Sequence, residues 1–181
     1  MDSLIQKAYK IVNDKQESKY VNEAYLIIGK ANYMKGAYHN SIEFFNQLLR
    51  SAEDQKQYIP LAYAWKSRAL LQIGKPEQAE KMVDSAFMTL DDNKSTRTFV
   101  NAAKANYLLR TGNELEAIPY LEYALQSNRK TLHKNRWRFL LAQLYKDNGQ
   151  LDKASEYFGK ISKSNVPYDM AFEASLQRSL L

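Results

Sequence analysis

The chain has 181 residues, 45% of them apolar and 12% aromatic, which is enough to bury a core along one elongated domain. Its 26 basic and 20 acidic residues leave a net charge of +6 at pH 7; the two signs are interleaved, so the balance favours acidic partners without defining a function. Cysteine is absent, which excludes disulfides, thiolate metal sites and thiol nucleophiles, and no window holds the roughly 18 consecutive apolar residues of a membrane-spanning helix.

The opening MDSLIQKAYK lacks the apolar run of a signal peptide, and Leu4, Ala8 and Ile11 instead share one helix face. Further along, four of the six glycines form a ruler: Gly36, Gly74, Gly112 and Gly149 are spaced by 38, 38 and 37 residues. Each follows one helical apolar pattern and precedes another, as in YLIIGKANYMKG followed by AYHNSIEFFNQLL. A chain that reverses within a few residues needs a positive φ at the helix end, which glycine adopts without steric cost, so each ruler glycine predicts a turn between two antiparallel helices.

Other positions keep the same register. Five residues after the glycine stand Ser41, Ala79, Ala117 and Ala154, small enough for two helices to approach closely. Phe45, Val83, Leu121 and Phe158 follow four residues later, then Leu48, Ala86, Ala124 and Ile161 after three more. The i, i+4, i+7 spacing sets all three on one face of the second helix. Seven residues before the glycine, Gly29, Ser67, Ala105 and Ala142 are again small.

This pattern of small, turn-glycine, small and large apolar positions resembles the tetratricopeptide repeat (TPR), whose usual period is about 34 residues. The resemblance implies an all-α, right-handed superhelix of antiparallel helix pairs, with repeats at about 22–55, 60–93, 98–131 and 135–167 and a half-repeat at each end. The longer period falls in the connections SAEDQKQYI, TLDDNKSTR and SNRKTLHK. Ser41 replaces the commoner alanine, Lys66 occupies a usually apolar slot, and Pro119 is expected to weaken a hydrogen bond and bend its helix. At the C-terminal end VPYDMAFEASLQRSLL reads as the first helix of a further pair begun by Pro167. Both ends therefore read as parts of a longer superhelix, and the apolar residues Leu4, Ile5, Leu176 and Leu180 predict end-to-end self-association.

A narrower resemblance rests on SKYVNEAYLIIGKANYMKGAYHNSIEFF, on RWRFLLAQLYKDNGQLDKASEYF and on the closing VPYDMAFEAS. These phrases are similar to the TPR region of the PorW/SprE-type lipoproteins of the type IX secretion and gliding machinery. That resemblance implies a scaffold at the periplasmic face of the outer membrane that links parts of the secretion apparatus. The lipid-bearing cysteine of those proteins has no counterpart in this sequence.

Catalytic chemistry finds little foothold. His39 and His133 are far apart and each sits among polar residues, so neither a metal site nor a catalytic histidine is expected. The pairs Glu53–Asp54 and Asp91–Asp92 fall in predicted turns, where capping explains them, and Gly29 and Gly159 stand singly instead of forming a phosphate loop. The expectation is a non-enzymatic chain without cofactor.

Surface recognition remains. In TPR superhelices the first helix of each pair lines the concave groove, and its outward offsets here place Lys30, Arg68, Asn106 and Gln143 six residues before the turn glycine. Tyr33 and Lys146 stand three before it, and Met34, Gln72 and Arg110 two before it. Such a donor-rich ladder flanked by aromatic and apolar residues suits an extended, acidic protein segment; ordinary solvated helix faces are the plainer reading. The slot of the first clamp lysine in chaperone-binding TPR domains holds Leu26, Ala64, Ala102 and Phe139, which disfavours that clamp. Arg129, Lys130, Lys134, Arg136 and Arg138 around Trp137 form a basic cluster, either a solvated loop or a docking patch. Tyr9, Tyr25, Tyr63, Tyr107 and Tyr145 recur at packing offsets and are expected in the core. The leading reading is a protein-interaction scaffold that binds no nucleic acid and does not itself insert into membrane. A generic TPR adaptor or chaperone-like peptide-binding module is the alternative, and an RNA-binding helical repeat a third.

Overall fold

The computed structural model describes residues 2–14, 17–52, 54–127 and 131–181. Among these residues the regular structure is helical throughout: α1 (Asp2–Asp14), α2 (Val21–Met34), α3 (Tyr38–Ser51), α4 (Ile59–Gln72), α5 (Pro76–Met88), α6 (Lys94–Arg110), α7 (Glu114–Ser127), α8 (Thr131–Asp147), α9 (Leu151–Ser162) and α10 (Tyr168–Ser179), with a short 3-10 turn at Lys56–Tyr58 before α4.

Each ruler glycine ends a helix in the left-handed region: φ is +77° at Gly36, +71° at Gly74, +81° at Gly112 and +70° at Gly149. The hydrogen bonds around them repeat as well. The glycine N–H donates to the carbonyl three residues back, and the N–H of the next residue donates to the carbonyl five residues back, as in Ala37 to Asn32 at 2.9 Å and Gln150 to Tyr145 at 2.8 Å. This is the Schellman arrangement, which satisfies carbonyls that a helix end leaves without partners and turns the chain in minimal length.

The turn folds α2 on α3, α4 on α5, α6 on α7 and α8 on α9, and the small residues lie where each pair closes. Ser41, Ser67, Ala79, Ala105, Ala117, Ala142 and Ala154 are all fully buried. At Gly29 the approach is so close that an added Cβ would lie 2.5 Å from the Phe45 ring. Where serine stands at these positions its hydroxyl reaches across the pair: Ser41 Oγ donates to the Gly29 carbonyl at 2.9 Å and Ser67 Oγ to the Ala79 carbonyl at 2.8 Å.

Consecutive pairs stack through α3 on α4, α5 on α6 and α7 on α8, while α4 also packs on α6 and α2 reaches α4. First helices thus approach one another from α2 through α4 to α6. The expected TPR-type superhelix of antiparallel helix pairs is the fold observed.

Two first helices start four residues before the repeat starts at 98 and 135. For α6 the cause is Asn93, whose Oδ1 accepts from Ser95 N at 2.9 Å and Thr96 N at 3.1 Å and so caps the helix inside the expected connection. Asp91 supports this cap by accepting from Asn93 N at 3.0 Å. Helix α7 continues through Pro119, and the carbonyl deprived of its donor belongs to Leu115, an exposed residue.

Candidate protein-binding face

The residues that organise the first-helix row come from three helices. Trp65 of α4 is 6% exposed and lies between Tyr33 of α2, edge-on at 5.2 Å, and Phe99 of α6, tilted at 4.8 Å. Tyr33 also meets Tyr38 edge-on at 5.5 Å. The Arg68 guanidinium covers this assembly, its Cζ 4.7 Å from the Trp65 centroid, 5.1 Å from Tyr33 and 5.7 Å from Phe99. Lys30 approaches the same indole from α2, with Nζ 5.8 Å from its centroid. Each such cation–π contact contributes about 0.5–1 kcal/mol when exposed and about 2 when desolvated.

The cations at this site lack anionic partners. Among the described residues the ion pairs join Arg50 to Glu43, Lys104 to Asp84 and Lys160 to Glu156, and Lys30, Arg68 and Arg110 take part in none. The Nε of Arg68 is buried without a hydrogen-bond partner. Burial holds the Lys30 amine below the ordinary lysine range, because desolvation disfavours its charged form. A carboxylate placed here gains two nearby positive charges whose geometry aromatic rings already fix.

The other expected groove residues divide by environment. Met34 is 69% exposed; Gln72, Arg110 and Gln143 are exposed and Asn106 is half-buried. Lys146 is committed internally, donating to Gln177 Oε1 of α10 at 2.6 Å. Leu71, which shares the Tyr33 offset, is buried, so that offset does not face solvent in every repeat.

Of the basic cluster, Arg129 and Lys130 lie outside the described residues. Lys134 is half-buried and Arg136 exposed. Arg138 turns toward the protein, donating to Asn135 Oδ1 at 3.0 Å and Ser164 Oγ at 3.5 Å, and Trp137 is partly buried against the core. Among the tyrosines, Tyr107 and Tyr145 are buried, Tyr25 and Tyr63 half-buried, and Tyr9 is 37% exposed, edge-on to Phe44 at 5.9 Å. His39 is exposed.

A second polar network lies inside the C-terminal half. Glu122 of α7 accepts from Tyr145 Oη at 2.7 Å and Tyr157 Oη at 3.5 Å, and the two rings stack at 5.7 Å. Burial, then the Glu122 carboxylate, pushes the Tyr145 phenol well above the ordinary tyrosine range. A phenol held protonated in this way serves structure and is a poor proton donor.

Residues 102–169 match the family model described as tetratricopeptide repeat. No curated protein matches the sequence. Among solved structures, YrrB, described as a TPR protein with an unusual peptide-binding site, superposes with a TM-score of 0.65 at 16% identity, over 96% of this chain and 82% of that one. MamA gives 0.58 at 15% identity, over 98% and 90%. MamA from Desulfovibrio magneticus RS-1 gives 0.57 at 17% identity, over 88% and 92%. The shared property is the fold, that of TPR proteins. No described helix is long and apolar enough to cross a membrane.

Proposed function

We propose that the chain is a protein-binding scaffold whose first-helix row receives an extended, acidic segment of a partner protein, centred on Arg68 and Lys30. The observation that carries this reading is the Arg68 guanidinium held over Tyr33, Trp65 and Phe99 with its Nε unpartnered and no carboxylate beside it. Holding a cation in place before binding reduces the entropy lost when a carboxylate docks, so the site is organised for an anion the chain does not supply. Arg110, Gln72 and Met34 extend the row as exposed donors and apolar contact. That YrrB is described as having a peptide-binding site is consistent with this use of the fold.

The assembly we propose it serves is the type IX secretion and gliding apparatus, with the chain at the periplasmic face of the outer membrane as part of a lipid-anchored protein. The support is the order of the phrases SKYVNEAYLIIGKANYMKGAYHNSIEFF, RWRFLLAQLYKDNGQLDKASEYF and VPYDMAFEAS. The coarser reading, an adaptor for some other assembly, uses the same site.

Affinity capture from an envelope extract of the source bacterium tests both levels. The 181-residue chain is compared with a variant carrying Lys30→Glu, Arg68→Glu and Arg110→Glu. Recovery of secretion components by the unmodified chain alone is the expected result. Equal recovery by both removes this face as the binding site, and recovery of an unrelated assembly removes the secretion role.

A further inference from the structure

The two terminal helices expose complementary faces. On α10, Tyr168 is 78% exposed, Phe172 55% and Leu176 41%, with the first two rings stacked at 6.1 Å. At the opposite end α1 and α2 leave an open groove of about 200 Å³ whose lining includes Leu4, Lys7, Ala8, Ile11 and Ala24.

The interior of the chain shows what fills such a groove. Between α3 and α4 the equivalent space is occupied by α2, whose Leu26 is 6% exposed and packs with Phe45, Leu48, Ala62 and Trp65. The 37- and 38-residue period puts Leu176 in register with Leu26, Ala64, Ala102 and Phe139, and Phe172 in register with Asn22, Pro60, Thr98 and Asn135. All four residues of the second set are buried, and only the Phe172 position of α10 stands open. Leu4 shares the register of Ser41, Ala79, Ala117 and Ala154, each 0% exposed, yet is itself 54% exposed. Side-chain sizes agree with mutual docking. Within a pair the Leu26 register meets the Phe45 register, as Phe139 meets Phe158 at 5.5 Å, and the Gly29 register meets that of Ser41. Across the two ends this sets large Leu176 against small Ala8, and small Ser179 against large Leu4. In the same antiparallel register Glu173 of α10 falls level with Lys10 of α1.

We propose that the chain associates end to end, α10 of one copy seating in the α1–α2 groove of a second copy and completing a helix pair of the kind found inside the chain. The contact is heterologous and leaves a free groove and a free α10 at the two ends, so it adds copies in an open row. It is independent of the Arg68 site, whose residues lie on other faces.

Sedimentation velocity over a concentration series tests it, using the 181-residue chain, Leu176→Asp, Leu4→Asp and an equimolar mixture of the two variants. Both substitutions fall on exposed side chains, and circular dichroism checks that helix content is kept. The unmodified chain is expected to form a concentration-dependent series, and each variant to associate at least about tenfold more weakly through loss of an apolar contact and burial of a charge. The mixture is expected to recover a dimer and nothing larger, since one variant keeps its groove and the other its α10. A concentration-independent monomer for the unmodified chain overturns the proposal. So does a Leu4→Asp variant that associates as the unmodified chain does, which marks symmetric contact through α10, and so does a mixture that stays monomeric.

Discussion

The Ser41 hydroxyl donates to the Gly29 carbonyl at 2.9 Å across the α2–α3 crossing, where the Phe45 ring occupies the space a side chain at Gly29 would need. Gly29→Ala sets a methyl 2.5 Å from that ring, and overpacking of this kind costs about 1–3 kcal/mol, against about 1 kcal/mol gained in helix propensity. Urea denaturation is expected to show a net loss, and the double variant Gly29→Ala/Phe45→Leu to recover part of it. A neutral Gly29→Ala means that α2 and α3 can separate at no cost, contrary to this packing.

Gly112 fails for a different reason when substituted. An added Cβ meets nothing within 4 Å there, but φ is +81°. Gly112→Ala should therefore cost about 1–2 kcal/mol of backbone strain, and Gly112→Asn less, because asparagine tolerates the left-handed region better. Equal losses for the two variants would point to the missing space, not the backbone, as the cause.

Lys30 makes a test in pH. Its folded amine holds a proton less tightly than the unfolded one, so between the depressed value and the ordinary lysine range the unfolded chain binds more protons and stability rises with pH. At neutral pH the folded state bears the full cost of burying the charge, offset in part by the contact with Trp65. The stability of Lys30→Met relative to the unmodified chain should accordingly be greatest near pH 7 and fall as pH climbs through the lysine range. A difference independent of pH between 7 and 10.5 rejects the burial argument.

Tyr145 runs the opposite way. Its phenol is raised, so its contribution to stability is complete below the ordinary tyrosine range and is lost progressively as pH rises from that range to the raised folded value. Tyr145→Phe removes a 2.7 Å hydrogen bond to a carboxylate, worth about 1.5–3 kcal/mol, and leaves Glu122 the longer contact with Tyr157. Absorbance titration of the folded chain should show the lost phenol only at the alkaline extreme. Loss of a normally titrating tyrosine contradicts the network.

Much of the fold was legible because each repeat solves one local problem with the same residues. A positive φ calls for glycine at Gly36, Gly74, Gly112 and Gly149, and close approach calls for small residues at Ser41, Ala79, Ala117 and Ala154. What the sequence hid was lateral. Nothing in the spacing of Tyr33, Trp65 and Phe99 says that they meet, since their contact depends on how three successive first helices stack. Helix α6 starts earlier than the repeat spacing predicts: Asn93 followed by Ser95 and Thr96 carries a cap signal, but Asp91, Asp92 and Lys94 give the segment the composition of a connection. Spacing alone also presents Lys146 and Arg138 as free donors, whereas Lys146 donates to Gln177 of α10 and Arg138 to Asn135 of its own helix and to Ser164 beyond α9.

Among the described residues the clustered buried apolar side chains form three bodies, not one. The largest runs from Ala64 to Ala174, a second joins Leu26, Phe45 and Leu48 to Ala62 and Trp65, and a third holds only Ala8, Ala24 and Ile28. Phe99 borders the first two, so the indole and its neighbours are also the seam by which the N-terminal pair is held to the rest. The amides of α1 and α2 should then exchange with deuterium ahead of those in α5 to α9, opening as a separate unit. A ligand seated on Arg68 spans that seam, and its clearest trace would be slower exchange in helices it never touches.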